Sequence, residues 1–235
     1  SLFNGDAGSG PSEIRRYLIE NDWLDAIVQL PNNAFYNTGI ATYIWIVMKN
    51  KPVTHQGKVQ LIDASACCSA RRKNIGSKNV DITKACRDLI IKAYGAYVDN
   101  RYNGVDENDN AIVVKSKVMD AVELGYNKIV VETPQLDEDG NVIMKKKKPV
   151  ADTSKRDTEN VPLAEDIDVY FEREVIPYNS QAWIDKSKTK VGYEIPFTRT
   201  FYEYRQIEPS EKIIARIEAY EKSLMAKLHD LFGGE

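Results

Sequence analysis

The residues able to do chemistry in this chain are few and badly placed for it. Its two histidines, His55 and His229, lie far apart, one in a loop and one in the last helix, so histidine triads and zinc sites lack material. Cys67 and Cys68 are adjacent, which is no metal-clamp spacing, and read as small packed residues. Gly5, Gly8 and Gly10 open the chain without a preceding strand or a following phosphate-loop Lys-Ser/Thr, so they read as a capping turn. The carboxylates of Asp137-Glu138-Asp139 and Glu165-Asp166-Asp168 fall in stretches that read as solvent-facing. No catalytic constellation and no metal site converges. The exception is a loop between two apolar runs, Pro31-Asn-Asn-Ala-Phe-Tyr-Asn-Thr-Gly39. Phe35 and Tyr36 there are either cover for the core or a stacking surface facing a ligand, with Asn37 supplying a hydrogen bond.

The elements that must position that loop follow from spacing. Ser9 and Pro11 suit a helix start, and Ile14, Tyr17 and Leu18 define a short amphipathic helix ending near Asn21-Asp22. Ala26–Leu30, Ala41–Met48 and Lys58–Ile62 read as strands, and their short connections favour antiparallel neighbours. Arg71-Arg-Lys-Asn-Ile-Gly-Ser-Lys78 reads as a basic loop. Asp81 or Thr83 caps a helix carrying Ile82, Cys86, Leu89, Ile90, Ala93 and Tyr97, and Asp99–Asn110 reads as a polar surface loop. Ile129–Glu132 and Val142–Met144 are expected to pair as a hairpin around Asp137–Asn141, followed by a solvated, mobile stretch from Lys145 to Glu159. Leu163–Val175 reads as a helix presenting Ile167, Tyr170, Phe171 and Val175, and Trp183–Tyr204 as irregular. Ser210–Phe232 is the clearest helix, with Ile213, Ile217, Tyr220, Leu224, Leu228 and Leu231 at three- and four-residue steps.

Composition narrows the class. The 235 residues carry 32 Lys and Arg against 35 Asp and Glu, a net charge of -3, which excludes nucleic-acid binding by bulk charge and leaves local basic patches. The longest apolar run, Ile40–Met48, falls well short of the ~18 residues of a membrane span, so no membrane partner is expected. Three cysteines point to a reducing, cytoplasmic setting rather than a disulfide framework. The start at Ser1, without methionine, suggests a piece of a longer protein.

Several stretches, in one order, then give the chain a likeness. Glu13-Ile-Arg-Arg-Tyr-Leu-Ile-Glu-Asn-Asp-Trp-Leu-Asp-Ala-Ile-Val-Gln-Leu-Pro31 and Phe35-Tyr-Asn-Thr-Gly-Ile-Ala-Thr-Tyr-Ile-Trp-Ile46 closely resemble the modification subunit of type I restriction-modification systems. Gly57–Ala64, Arg72–Lys78, Arg156–Leu163 and Lys190–Arg199 extend the resemblance, which fails around Asp99–Val113 and Lys145–Lys148. It implies an adenine-specific DNA methyltransferase that moves a methyl group from S-adenosylmethionine to the exocyclic amine of a flipped adenine. The family's acidic residue with its Gly-x-Gly turn, and its Asn/Asp-Pro-Pro-aromatic tetrapeptide, are absent; no Pro-Pro pair occurs.

The resemblance therefore implies a C-terminal fragment with no catalytic residue and no cofactor bound. Its expected fold is α/β: the edge of a Rossmann-like methyltransferase sheet, three or more strands with helices, then a hairpin and a mostly helical tail. The expected division is residues 1–134, the end of the catalytic domain; 135–161, hairpin and linker; and 162–235, an interaction tail. It also places Phe35, Tyr36 and Asn37 in the target-base pocket, makes Arg71, Arg72, Lys73 and Lys78 of the basic loop candidates for DNA phosphate with a solvated loop as the alternative, and sets DNA with the specificity and restriction subunits among the partners. Ile213, Ile217, Tyr220, Leu224 and Leu231 form the candidate docking seam, which packs on its own domain, on the specificity subunit, or in the isolated chain on a second copy as a homodimer. The alternative function is a non-catalytic docking module for the specificity subunit.

Overall fold

Ser9 opens the first helix. In the computed structural model of the chain, which describes residues 2–146, 148–204 and 208–232, the Ser9 hydroxyl accepts from the Ser12 amide at 3.4 Å. Pro11 sits in the first turn of α1 (Gly10–Glu20), as expected. The buried face differs from the one read in the sequence. Ile14 and Tyr17 are exposed, and Ser12, Arg15 and Ile19 turn inward. Arg15 sets this rotation, because its guanidinium donates to four backbone carbonyls: Nε to Tyr193 (2.6 Å), Nη1 to Leu2 (2.6 Å) and Asn4 (2.8 Å), and Nη2 to Gly5 (2.7 Å).

Next come β1 (Leu24–Gln29), β2 (Tyr43–Val47) and β3 (Lys58–Asp63), close to their expected bounds. β1 is antiparallel to β2 but parallel to β3, which corrects the expectation of antiparallel neighbours throughout. The connection from β2 carries the chain past the start of β1 before β3 begins. Buried Lys51 fixes it there, with Nζ 2.7 Å from both Asp22 Oδ1 and the Lys58 carbonyl.

The basic segment is also not a loop. β4 (Ser69–Ile75) and β5 (Lys78–Asp81) form a two-stranded antiparallel ribbon with Gly76 at its turn. Thr83, not Asp81, caps α2 (Lys84–Ala96). The stretch expected as a surface loop contains β6 (Asn100–Val105), which pairs antiparallel with β7 (Ala111–Asp120). Asn100, Asn103 and Gly104 are poor strand formers, but the ladder with β7 and the burial of Tyr102 outweigh local propensity. The result is a five-stranded sheet ordered β2-β1-β3-β7-β6. α2 covers one face, with Cys86, Leu89, Ile90 and Ala93 on Val28, Ile62, Ile112 and Val114. Ile27, Val59 and Leu61 pack on the other face against Ile19, Tyr193, Ile195 and Phe197.

β8 (Gly125–Glu132) centres a second sheet. The expected hairpin with Val142–Met144 does not form; Val142 bridges Leu136, and β9 (Met144–Lys145) pairs with β10 (Lys148–Pro149). Lys147 lies outside the described residues. β8 is instead flanked on one side by β11 (Asp157–Pro162), within the stretch read as a solvated linker. α3 (Ile167–Glu174) begins late because Asp166 caps it, its carboxylate accepting from the Asp168 and Val169 amides. Ile167, Tyr170, Phe171 and Val175 pack as expected, against Ile129, Val131 and Val161. The segment read as irregular supplies β12 (Trp183–Ile184) and β13 (Lys190–Tyr193), both paired with β8, and the short α4 (Phe197–Thr200). The 23-residue helix α5 (Ser210–Phe232) has the expected bounds. The chain divides into two units, Ser1–Phe201 and Tyr202–Glu235. Among the described residues no helix is long and apolar enough to cross a membrane.

Candidate nucleic-acid interface

β1 and β3 run side by side in one direction, and ligands of such sheets gather beyond the carboxyl ends of the strands. The chain leaving β1 there is anchored by buried Leu30, Pro31 and Ala34. Asn33 adopts φ 56°, turning the chain outward. A bridge between Phe35 and Thr38 then closes a tight turn with Tyr36 and Asn37 at its tip. Phe35 is 43% and Tyr36 63% exposed, and Asn37 is exposed too, so the aromatic pair does not cover the core.

The β4–β5 ribbon is fastened to this turn. The Ser77 amide donates to the Tyr36 carbonyl at 2.8 Å, and the Asn79 amide to the Asn33 carbonyl at 3.1 Å. Gly76 makes the approach possible: it holds φ 58°, and a Cβ there would stand 2.4 Å from the Tyr36 carbonyl oxygen. Two candidate sites that lie some forty positions apart in sequence are thus one surface.

The four cations of the ribbon divide into two pairs. Lys78 Nζ lies 5.8 Å from the Tyr36 ring centroid and 3.0 Å from one Asp81 carboxylate oxygen, and Arg71 bonds the other. Arg71 first, and Lys78 after it, hold the Asp81 carboxyl below its ordinary value. Arg72 and Lys73 are exposed and have no ion pair among the described residues. The surface can therefore stack a planar ring and neutralise anionic charge. Its one carboxylate, Asp81, is held by Arg71 and Lys78, and no group of three or more metal-ligating side chains occurs among the described residues. Burial pushes the Cys67 and Cys68 thiols up, which disfavours the thiolate form of both.

One polar cluster escaped the sequence reading. His55 Nδ1 lies 2.9 Å from Oδ1 of fully buried Asp25, whose Oδ2 accepts from the Tyr94 hydroxyl at 2.7 Å. The His55 ring stacks on Tyr97 with centroids 3.4 Å apart. Burial and the Asp25 carboxylate push Tyr94 up to about 12. Asp25 sits near the amino end of β1, opposite the aromatic turn, so this cluster ties β1, α2 and the β2–β3 connection together. No spacing rule links positions 25, 55, 94 and 97. In the second unit, Ile217, Tyr220, Leu224 and Leu231 of the seam are exposed and Ile213 is half-buried.

An α/β chain with an aromatic turn and a cationic ribbon at its strand ends is the class these observations define. Residues 1–134, more than half of the chain, match the family described as N-6 DNA methylase, and the chain belongs to that family. It is similar to the MjaIX methylase subunit of a type I restriction enzyme from Methanocaldococcus jannaschii, 39% identical over 71 residues, which are 29% of this chain and 13% of that protein. The MpnII methylase subunit from Mycoplasma pneumoniae is 35% identical over 75 residues, 31% of this chain and 13% of the relative. The chain thus covers only about an eighth of the length of these relatives. A crystal structure of a type I restriction-modification methyltransferase subunit from Streptococcus thermophilus matches 52% of this chain and 21% of its own at 26% identity, with a TM-score of 0.39. The family match and the two methylase-subunit relatives bear out the resemblance to type I modification subunits.

Proposed function

We propose that the chain is part of the modification subunit of a type I restriction-modification system, and that it supplies one wall of the target-adenine pocket together with a DNA-phosphate contact. The intact subunit on this reading transfers a methyl group from S-adenosylmethionine to the exocyclic amine of adenine. The observation that carries the reading is the joining of Tyr36 to the ribbon through the Ser77 amide, which puts a stacking ring beside cations at the carboxyl end of a parallel strand pair. Extruding a base from a duplex costs a few kcal/mol, and stacking on an aromatic ring returns about 1–3 kcal/mol per base. Phe35 and Tyr36 are the stacking candidates, Asn37 the hydrogen-bonding one, and Arg71, Arg72, Lys73 and Lys78 the phosphate side.

The residues present do not fit the methyl donor. The segments leaving β1 (Leu30-Pro31-Asn32-Asn33) and β3 (Ala64-Ser65-Ala66-Cys67) contain no glycine, and neither leads directly into a helix that could receive a cofactor. No step of the reaction is assigned to this chain, and on its own it is expected to bind no S-adenosylmethionine. The test is alanine substitution of Phe35 and Tyr36 in the intact subunit: methylation is lost while assembly with the specificity subunit is retained. Loss of assembly with these variants favours the second reading, a docking module. That reading draws on the exposed seam of α5, to which the specificity subunit is the proposed partner, with the restriction subunit completing the complex.

A further inference from the structure

A cleft of about 550 Å³ opens between the segment entering β2 and the segment that follows β13. That volume lies within the range of small-ligand sites. Its apolar floor is three rings, with Phe3 and Tyr43 centroids 4.1 Å apart and Phe197 5.3 Å from Tyr43. Ile40, 74% exposed, stands on one rim and Arg199, also exposed, on the other. Glu194 is the acidic residue lining the cleft, and it is exposed. Arg199 has no hydrogen bond or ion pair among the described residues, so it is the uncompensated cation.

We infer that this cleft receives the nucleotide next to the displaced base, with the Arg199 guanidinium on a phosphate of the same DNA strand. A ring-lined floor beside an uncompensated guanidinium suits a unit that offers a planar base and a phosphate, and the planar fork of arginine matches two phosphate oxygens. Position supports the assignment. Ile40 lies two residues beyond Thr38, which closes the aromatic turn, so rim and turn are within about 7 Å along the chain. The inference rests on the proposed base pocket.

The experiment is fluorescence anisotropy of a labelled single-stranded oligodeoxynucleotide on the full 235-residue chain over a salt series. Arg199 is exposed, and the circular dichroism of each variant checks its fold. Arg199→Ala should weaken binding about 5-fold or more and flatten the log K against log salt slope by about 0.7, one phosphate contact, while Arg199→Lys keeps the slope. Unchanged affinity and slope in Arg199→Ala, with binding lost in Phe35→Ala/Tyr36→Ala, overturns the Arg199 assignment alone. The converse pattern removes the base pocket, and with it the place beside a displaced base, and leaves Arg199 as a phosphate contact alone. Displacement of the oligonucleotide by AMP at equal concentration overturns assignment to a strand, and no binding by the unsubstituted chain overturns both.

Discussion

Arg15 and Tyr193, separated by 178 positions, meet through a 2.6 Å hydrogen bond from Nε to the backbone carbonyl. With its other three bonds, to the carbonyls of Leu2, Asn4 and Gly5, the side chain ties the first residues, α1 and β13 into one corner of the fold. Removing it strands several carbonyls in a buried place, at about 1–3 kcal/mol each. Arg15→Ala is expected to lose roughly 3–5 kcal/mol of stability, and Arg15→Lys to restore little, because an ammonium cannot span four acceptors in one plane. Urea denaturation measures both; a loss under about 1 kcal/mol refutes the role.

Gly76 is where the ribbon backbone approaches the Tyr36 carbonyl too closely for a side chain. Gly76→Ala strains a left-handed backbone position and drives a methyl group toward the Tyr36 carbonyl. The expected outcome is a loss of about 1–3 kcal/mol and faster amide exchange at Ser77 and Asn79, both read by hydrogen-exchange spectroscopy. Unaltered exchange at these amides shows that the ribbon stands without the turn.

Arg72 and Lys73 should behave differently from Arg71. Replacing both unpaired cations by alanine is expected to flatten the salt dependence of duplex binding by the intact subunit by about 0.9 per contact, with no change in sequence preference. Arg71→Ala also strips Asp81 of its main partner, so it should loosen the ribbon as well as weaken binding. A slope that survives the Arg71/Arg72/Lys73 triple alanine variant refutes the phosphate assignment.

Much of this was legible in the sequence, and what was not has physical causes. Helix α5, the cap at Ser9 and the first three strands follow from periodicity and capping chemistry. The ribbon was invisible because Arg, Lys and Asn are weak strand formers, and its register comes from Ser77 and Asn79 bonding a turn far away in sequence. β6 was hidden for the same reason, and β11 because Asp157, Glu159, Asn160 and Pro162 read as linker until β8 supplies their partners. Of the candidate site, the aromatic turn and the cations were each visible, but not their contact. Burial of Arg15 could not be read at all, since its acceptors are backbone carbonyls without side-chain identity.

Asp106 gives a pH signature. The Ser69 hydroxyl, followed by the Asn110 and Asn108 amides, depresses its carboxyl from 3.8 to about 2. A depressed folded-state value stabilises the ionised form, so the contribution is present above pH ~4 and disappears as pH falls toward 2. Asp106→Asn should lower the melting temperature at neutral pH and shrink the difference from the native sequence at pH ~2. A constant difference across that range refutes the coupling.

For α5, Ile217→Asp with Leu224→Asp in the intact subunit should abolish assembly with the specificity subunit and leave the far-ultraviolet circular dichroism unaltered, since both residues are exposed. Normal assembly on size-exclusion chromatography overturns the docking role.

β8 carries a cost that only the growing chain meets. Its neighbours on both sides, β11 and then β12 and β13, lie downstream, so neither edge can be paired when Glu132 leaves the ribosome. At 5–20 residues per second the second edge stays open for on the order of 3–12 s. Through that interval Lys128 and Glu132 are the charged residues on the open strand, and charge on an unpaired edge disfavours edge-to-edge association.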